Sequence, residues 1–167
     1  MRSRRYLLIA SICIPVLGAV AWSQAHKLGL WEVTSNMTWQ QWPLPPGMAP
    51  QERSSLGGGK HVSKVCVAKD DFDKFGALPP QADRYCQVSN VVHKLGGMTA
   101  DLTCAGPMTG SGTIVGSWDD DSHGTSKVHF TGSMQMGSNA APVEWTNDST
   151  WVFKDSDCGS VKTGIAN

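Results

Sequence analysis

Apolar and polar residues alternate along most of the chain beyond residue 28. The first alternating segment begins at Gly29, and one of its faces carries the apolar residues Trp31, Val33, Met37 and Trp39. A period of two is that of a β-strand with one buried face. The same pattern returns at residues 60–67, 86–93, 98–104, 113–118, 126–136 and 143–154. The sequence therefore predicts about seven strands.

Short turns join most of these segments, which indicates an antiparallel up-and-down meander. A sheet of this size with one apolar face has to curl on itself or pack on a second layer. We therefore predict an all-β fold that forms a small barrel or a curved half-barrel, with a two-sheet sandwich as the alternative. One short helix is predicted at 68–75, where acidic residues precede Phe72 and Phe75, and Gly76 ends it.

The N-terminal segment has the composition of an export signal. Basic residues within 1–5 precede an apolar run at 7–20, and cleavage is expected after Ala25 or Ala21. The apolar run is interrupted by Pro15 and is shorter than the roughly 20 residues that span a bilayer, so an uncleaved transmembrane anchor is less favoured. We predict a signal peptide at 1–25, a single β domain at 26–158, a disordered tail at 159–167, and a periplasmic or secreted location.

The charges of the chain balance, with 14 basic and 14 acidic side chains. Removal of the predicted signal takes away three arginines and leaves a small negative charge. The remaining charges are scattered singly, without the Lys and Arg cluster that follows a phosphate backbone. We therefore expect no nucleic-acid partner.

Four cysteines remain after the predicted cleavage: Cys66, Cys86, Cys104 and Cys158. An even number in an exported chain indicates two disulfides, whereas a zinc site usually brings two of its ligands together in a CxxC motif. We favour the pairs Cys66–Cys86 and Cys104–Cys158. A turn near Leu95 would instead place Cys86 opposite Cys104.

Catalysis would require a nucleophile beside a base, or paired acids in a pocket. Ser111 lies between two glycines but lacks the strand-turn-helix context of a nucleophilic serine, so we interpret residues 110–112 as a turn. The histidines are spread over several predicted strands and turns: His61, His93, His123 and His129. We predict no catalytic residue and expect that the protein is not an enzyme.

Two sets of residues have side chains of the kind that bind metal ions. Residues 119–124 resemble the first half of a calcium loop, but Phe130 occupies the twelfth position, where a glutamate is required, so we favour a solvated hairpin turn. Six methionines remain beyond the signal, and thioethers bind Cu(I). Four of them lie at predicted core positions, where methionine fills irregular space. We predict no metal and no cofactor.

Five tryptophans recur at apolar positions of the predicted strands: Trp31, Trp39, Trp118, Trp145 and Trp151. Indole combines a large apolar body with one N–H donor, so a concave face lined by several indoles suits a small apolar ligand. A small barrel holds either its own side chains or one such ligand. The favoured hypothesis is a non-enzymatic module that binds a small apolar ligand. The alternative is a structural or protein-interaction domain with a filled core, acting through the Pro- and Gly-rich loop at 42–59.

Several short motifs recur in one known group of proteins: Gly29-Leu30-Trp31-Glu32-Val33, Val65-Cys66-Val67, Thr103-Cys104 with Gly106, and Asp157-Cys158. Together with Cys86 at the start of a strand, they resemble an exported bacterial family known as domain of unknown function 3617. The resemblance covers about residues 29–158. It implies an exported, disulfide-bonded, β-rich protein for which no activity is established.

Overall fold

A computed structural model describes residues 27–44, 58–68 and 85–161, and these residues form seven β-strands and no helix. The strands are β1 (Gly29–Gln41), β2 (Gly59–Val67), β3 (Cys86–Lys94), β4 (Gly97–Cys104), β5 (Met108–Trp118), β6 (His123–Met136) and β7 (Asn139–Asp155). The predicted signal peptide, residues 69–75 of the predicted helix and residues 162–167 of the predicted tail lie outside the described residues, and Ala68, where that helix was to begin, is not helical.

All seven strands belong to one sheet in the order β2-β1-β7-β6-β5-β4-β3. Every pair of neighbours is antiparallel, which confirms the predicted all-β antiparallel meander. The closed barrel and the two-sheet sandwich are wrong, because the described strands form a single open sheet with edges β2 and β3. Six antiparallel steps leave these two edges running in the same direction. Closure would therefore need a parallel pair in an otherwise antiparallel sheet.

The sheet curls strongly at one end. β1 and β5 are separated by β7 and β6, and three strand spacings correspond to about 14 Å in a flat sheet. The ring centroids of Trp31 on β1 and Trp118 on β5 nevertheless lie 6.0 Å apart. Lys27, just before β1, also forms a 3.1 Å ion pair with Asp121 in the turn between β5 and β6. The sheet is therefore a curved, open structure with a concave apolar face.

Alternation along the strands sets the two faces, as the sequence predicts. On β6, Val128 and Phe130 are buried whereas Lys127 and His129 are exposed. β5 begins earlier than predicted, at Met108, so the turn expected at residues 110–112 is wrong and this segment pairs with β6.

Glycines in this segment make room for the Phe130 ring. A Cβ atom added at Gly110 or at Gly132, its partner on β6, would lie 2.9 Å from the ring. An aromatic ring that lies across strand glycines restores the packing that the missing side chains would have supplied. The two glycines therefore leave the space beside the Phe130 ring open.

The disulfides are Cys66–Cys158 and Cys86–Cys104, so both predicted pairs are wrong. Cys86 and Cys104 lie directly opposite each other on β3 and β4, with their Cα atoms 4.0 Å apart. This is the pairing that the turn near Leu95 allowed. The other bridge joins the end of β2 to the segment after β7, across the start of β1, which lies between these two strands in the sheet.

Gly29 allows this crossing. Its φ angle is +130°, and a Cβ atom here would lie 2.8 Å from the Cα atom of Ser156 and closer still to the carbonyl oxygen of Asp155. Any side chain at this position would push away the backbone that carries Cys158 to Cys66. The glycine before Leu30-Trp31 and the late cysteine are therefore parts of one arrangement.

Candidate functional site

The structure divides the five predicted ligand-binding tryptophans between two core clusters. One cluster, here called the tryptophan end, contains Trp31, Val33, Val67, Trp118 and Trp151. The other contains Phe130 and Trp145 in its buried part, with Trp39 packed against it. The five indoles therefore do not form a single binding wall.

The tryptophan end is a densely packed core. Trp31 is fully buried and makes edge contacts with Trp118, at 6.0 Å, and with Phe153, at 5.6 Å between ring centroids. Its indole Nε1 donates a 3.0 Å hydrogen bond to the carbonyl oxygen of Lys27. Trp151 Nε1 donates a 3.0 Å hydrogen bond to Ser126 Oγ. Both buried donors are satisfied within the chain, which is the normal state of a protein interior.

A layer of small polar side chains lies beside this end on the concave side. Ser126 and Ser149 are buried, and Ser149 Oγ lies 3.0 Å from Ser35 Oγ. Asn147 Nδ2 donates to Ser149 Oγ at 3.2 Å. Residues 35, 147 and 149 lie on the same strand faces as Val33, Trp145 and Trp151. Their positions in the alternating pattern could therefore have predicted that they point inward.

The opposite part of the concave face, here called the methionine end, is less completely covered. Six half-buried apolar side chains pack against its buried cluster: Met37, Trp39, Val88, Val91, Met108 and Met134. At the tryptophan end only two half-buried apolar side chains among the described residues, Val65 and Phe153, pack against the buried cluster. The ring of Trp39 also stacks on that of Trp42, with centroids 5.3 Å apart. Partly exposed apolar side chains are thus concentrated at the methionine end.

Phe130 and Trp145 form the floor of the methionine end. Their rings stack at 5.2 Å with an interplanar angle of 17°, and Trp145 is only 2% exposed. Its Nε1 atom is buried and has no hydrogen-bond partner among the described residues. Among the described residues it is the one buried side-chain nitrogen or oxygen without a hydrogen-bond partner. Such a group costs free energy unless an acceptor is supplied.

Charge distinguishes the two ends as well. Three of the segments that build the methionine end, residues 33–44, 102–118 and 130–143, contain no Asp, Glu, Lys or Arg, whereas β3 carries Lys94 and β4 carries Asp101. Next to the tryptophan end lie the Lys27–Asp121 ion pair and a second pair between Lys154 and Glu32. Charged residues are therefore sparse along the strands of the methionine end.

The outer face of the sheet carries a shallow polar groove of about 480 Å³ over β3 to β6. Two pairs of side chains stand along it: Asn90 Nδ2 donates to Asp101 Oδ2 at 2.7 Å, and His129 Nε2 lies 2.9 Å from Glu144 Oε1. These groups are exposed and bonded to one another. The groove therefore has the character of a solvated sheet surface.

The turn at residues 119–122 forms around Asp120. Its carboxylate accepts hydrogen bonds from the Ser122 side chain, at 2.8 Å, and from the Ser122 backbone N–H. These bonds, with a further contribution from His123, hold the pKa of Asp120 well below its usual range. This agrees with the predicted solvated hairpin turn.

The described segments contain no group of three or more His, Cys, Asp or Glu side chains placed to hold a metal ion. Nor does this part of the chain contain a helix long and apolar enough to cross a membrane. The Pro- and Gly-rich loop of the alternative hypothesis falls mostly within residues 45–57, outside the described part.

Comparison with known proteins assigns a family. No curated protein and no solved structure matches the chain. The profile of one family, described as "Protein of unknown function (DUF3617)", matches residues 26–158, which include every strand of the sheet and all four bridged cysteines. The chain therefore belongs to the DUF3617 family of proteins of unknown function.

Proposed function

We propose that the protein is a non-enzymatic, extracytoplasmic binding module that holds a small apolar ligand at the methionine end of its concave face. The observation that carries this proposal is the group of six half-buried apolar side chains concentrated at one end of the concave face. A grouped, partly exposed apolar surface is characteristic of a binding site, whereas scattered apolar residues are normal on any protein.

Two further features support the proposal. The two disulfides suit an oxidising compartment, as expected for an exported protein. Three of the half-buried side chains are methionines, whose flexible, polarisable thioethers adapt to ligands of irregular shape. By contrast, the tryptophan end is packed and its Trp31 and Trp151 donors are satisfied, so we assign to it the structural role that holds the sheet curved.

An uncharged apolar fluorophore, N-phenyl-1-naphthylamine, tests this function with a matched pair of variants. Met134→Glu places a charge at the methionine end, and Val65→Glu places the same charge at a half-buried position of the tryptophan end. We expect wild type and Val65→Glu to bind the probe with enhanced emission, and Met134→Glu to lose at least tenfold in affinity, because a buried carboxylate without a partner is strongly disfavoured.

Folding of each variant is checked by far-UV circular dichroism. Absence of probe binding by the folded wild type contradicts the proposed function. Equal losses in two folded variants would show that the probe does not distinguish the ends, which contradicts the assigned location. Native mass spectrometry of protein isolated from the cell envelope then identifies any molecule that copurifies.

A further inference from the structure

The indole N–H of Trp145 carries an inference about the class of ligand. Elsewhere on the concave face the chain satisfies its indole donors, with Lys27 as acceptor for Trp31 and Ser126 as acceptor for Trp151. Trp145 is equally buried, but no acceptor for it lies in the part of the chain that the structure describes. Buried donors are nearly always paired, so this position calls for an acceptor that the described residues do not supply.

The surroundings of Trp145 restrict the chemistry of that acceptor. Phe130 stacks on its ring, and six half-buried hydrophobic side chains pack against this cluster. The nearest charge in sequence is Glu144, which the strand alternation places on the opposite face and which contacts His129 there. Bringing a carboxylate here would bury a negative charge against one neutral N–H donor, which is unfavourable. An uncharged acceptor is favoured.

We propose that the ligand is an uncharged acyl compound, such as a fatty acyl ester, whose carbonyl oxygen accepts a hydrogen bond from Trp145 Nε1. This assignment rests on the proposed function, since it names the ligand class of the same site. The acyl chain packs against the methionine side chains, which supply apolar contact without direction. The indole N–H supplies the direction, because it selects molecules that have a carbonyl group.

Three probes of similar chain length separate the two contributions: methyl dodecanoate, tridecane and dodecanoate. The ester has an uncharged acceptor, the alkane has none, and the carboxylate is charged. Affinities are measured by displacement of N-phenyl-1-naphthylamine, with dodecanoate below its critical micelle concentration and the ester and the alkane below their solubility limits. We expect the carboxylate to bind more weakly than the ester. The ester-to-alkane affinity ratio also contains the different hydration of the two probes, so its value in the wild type is compared with that in a variant without the indole donor.

Trp145→Phe keeps an aromatic ring on Phe130 and removes only the donor and part of the ring. We expect it to lower the ester-to-alkane affinity ratio about fivefold, as for the loss of one neutral hydrogen bond. Trp151→Phe is the matched control, because its indole donates to Ser126 at the other end, and it keeps the wild-type ratio. A second measurement needs no variant. The Nε1–H resonance of Trp145 in 1H–15N spectra moves downfield with methyl dodecanoate and not with tridecane.

The outcomes separate the two proposals. If the ester-to-alkane affinity ratio is the same in Trp145→Phe as in the wild type, the acyl assignment is overturned while apolar binding stands. A carboxylate that binds more tightly than the ester also overturns it. If none of the three probes binds, the proposed function fails, and the assignment fails with it.

Discussion

The two ends of the concave face are built from the same kind of side chain but differ in completeness. At the tryptophan end, the rings meet edge to face, the indoles of Trp31 and Trp151 have acceptors, and ion pairs surround the cluster. At the methionine end, Phe130 and Trp145 also stack, yet the Trp145 donor lacks an acceptor among the described residues and the apolar border is half exposed.

This difference shows how one sheet can combine stability with a binding surface. The tryptophan end brings β1 and β5 together and so sets the curvature of the sheet. Curvature makes the rest of the apolar face concave, and there the same alternation of residues produces a surface that is not fully covered. Packing is therefore completed at one end and left available at the other.

Removal of the disulfides should have the largest effect on stability, and each end has one disulfide. Under the chain-entropy model, Cys66–Cys158, with a separation of 92 residues, contributes about 4.5 kcal/mol, and Cys86–Cys104, with a separation of 18, about 3 kcal/mol. We expect the double alanine variant at 66 and 158 to lose more stability than that at 86 and 104. Urea unfolding at equal protein concentration measures both, and the reverse order would contradict the chain-entropy expectation.

Truncation of one tryptophan at each end is the next test. Trp31→Ala should lower the free energy of unfolding by about 3–5 kcal/mol, because it opens a large cavity in a fully buried core. Trp39→Ala should cost about 1 kcal/mol, since this side chain is half-buried and stacks on Trp42. Urea unfolding gives both values. Equal losses would mean that Trp39 belongs to a core as complete as that around Trp31.

Replacing one tryptophan by phenylalanine at each end compares an indole donor that has an acceptor with one that has none among the described residues. Trp151→Phe loses a hydrogen bond to Ser126, at a cost of about 1 kcal/mol beyond the loss of ring volume. Trp145→Phe loses no hydrogen bond within the described residues and removes a buried polar group. Because the loss of volume is common to both, we expect ligand-free Trp145→Phe to be the more stable variant by about 1–3 kcal/mol. Thermal unfolding measures this difference, and the opposite order contradicts it.

The strands were predictable from the sequence because alternation reports directly which side chains are buried. The pattern of Val128 and Phe130 against Lys127 and His129 is an example. The start of β5 was missed because Gly110 and Gly112 carry no side chain, so their hydropathy cannot show that Phe130 covers Gly110. Glycine in a strand looks like a turn until the neighbouring strand is known.

The disulfides and the site depend on strand order, which alternation along a single strand cannot supply. Cys66 reaches Cys158 only because β1 lies between β2 and β7. The five tryptophans were correctly placed at apolar positions, but their division between two ends depends on the register and on the curl of the sheet. That Trp145 has no acceptor among the described residues could not be predicted either, because it depends on the position of every neighbouring side chain.

The smallest expected effect concerns Asp120, in the turn beside the tryptophan end. Because the hydrogen bonds from Ser122 lower the pKa of this carboxyl, Ser122→Ala should raise it toward its usual value near 3.9. A lowered pKa in the folded state contributes stability above the unfolded pKa, and this contribution is lost as the pH falls through the folded pKa. Ser122→Ala should therefore weaken the acid dependence of stability below about pH 4, with only a small effect at neutral pH because the group is exposed.

A pH titration of the Asp120 carboxyl carbon by NMR measures the shift directly. Ser156→Ala is the matched control, because that exposed serine donates to a different carboxylate, Asp155, and its removal should leave the pKa of Asp120 unchanged. If Asp120 titrates near its usual value in the wild type, the turn does not hold the hydrogen bonds described. The turn would then support the packed end through the Lys27–Asp121 ion pair and the backbone bond from Phe153 to Ser122 alone.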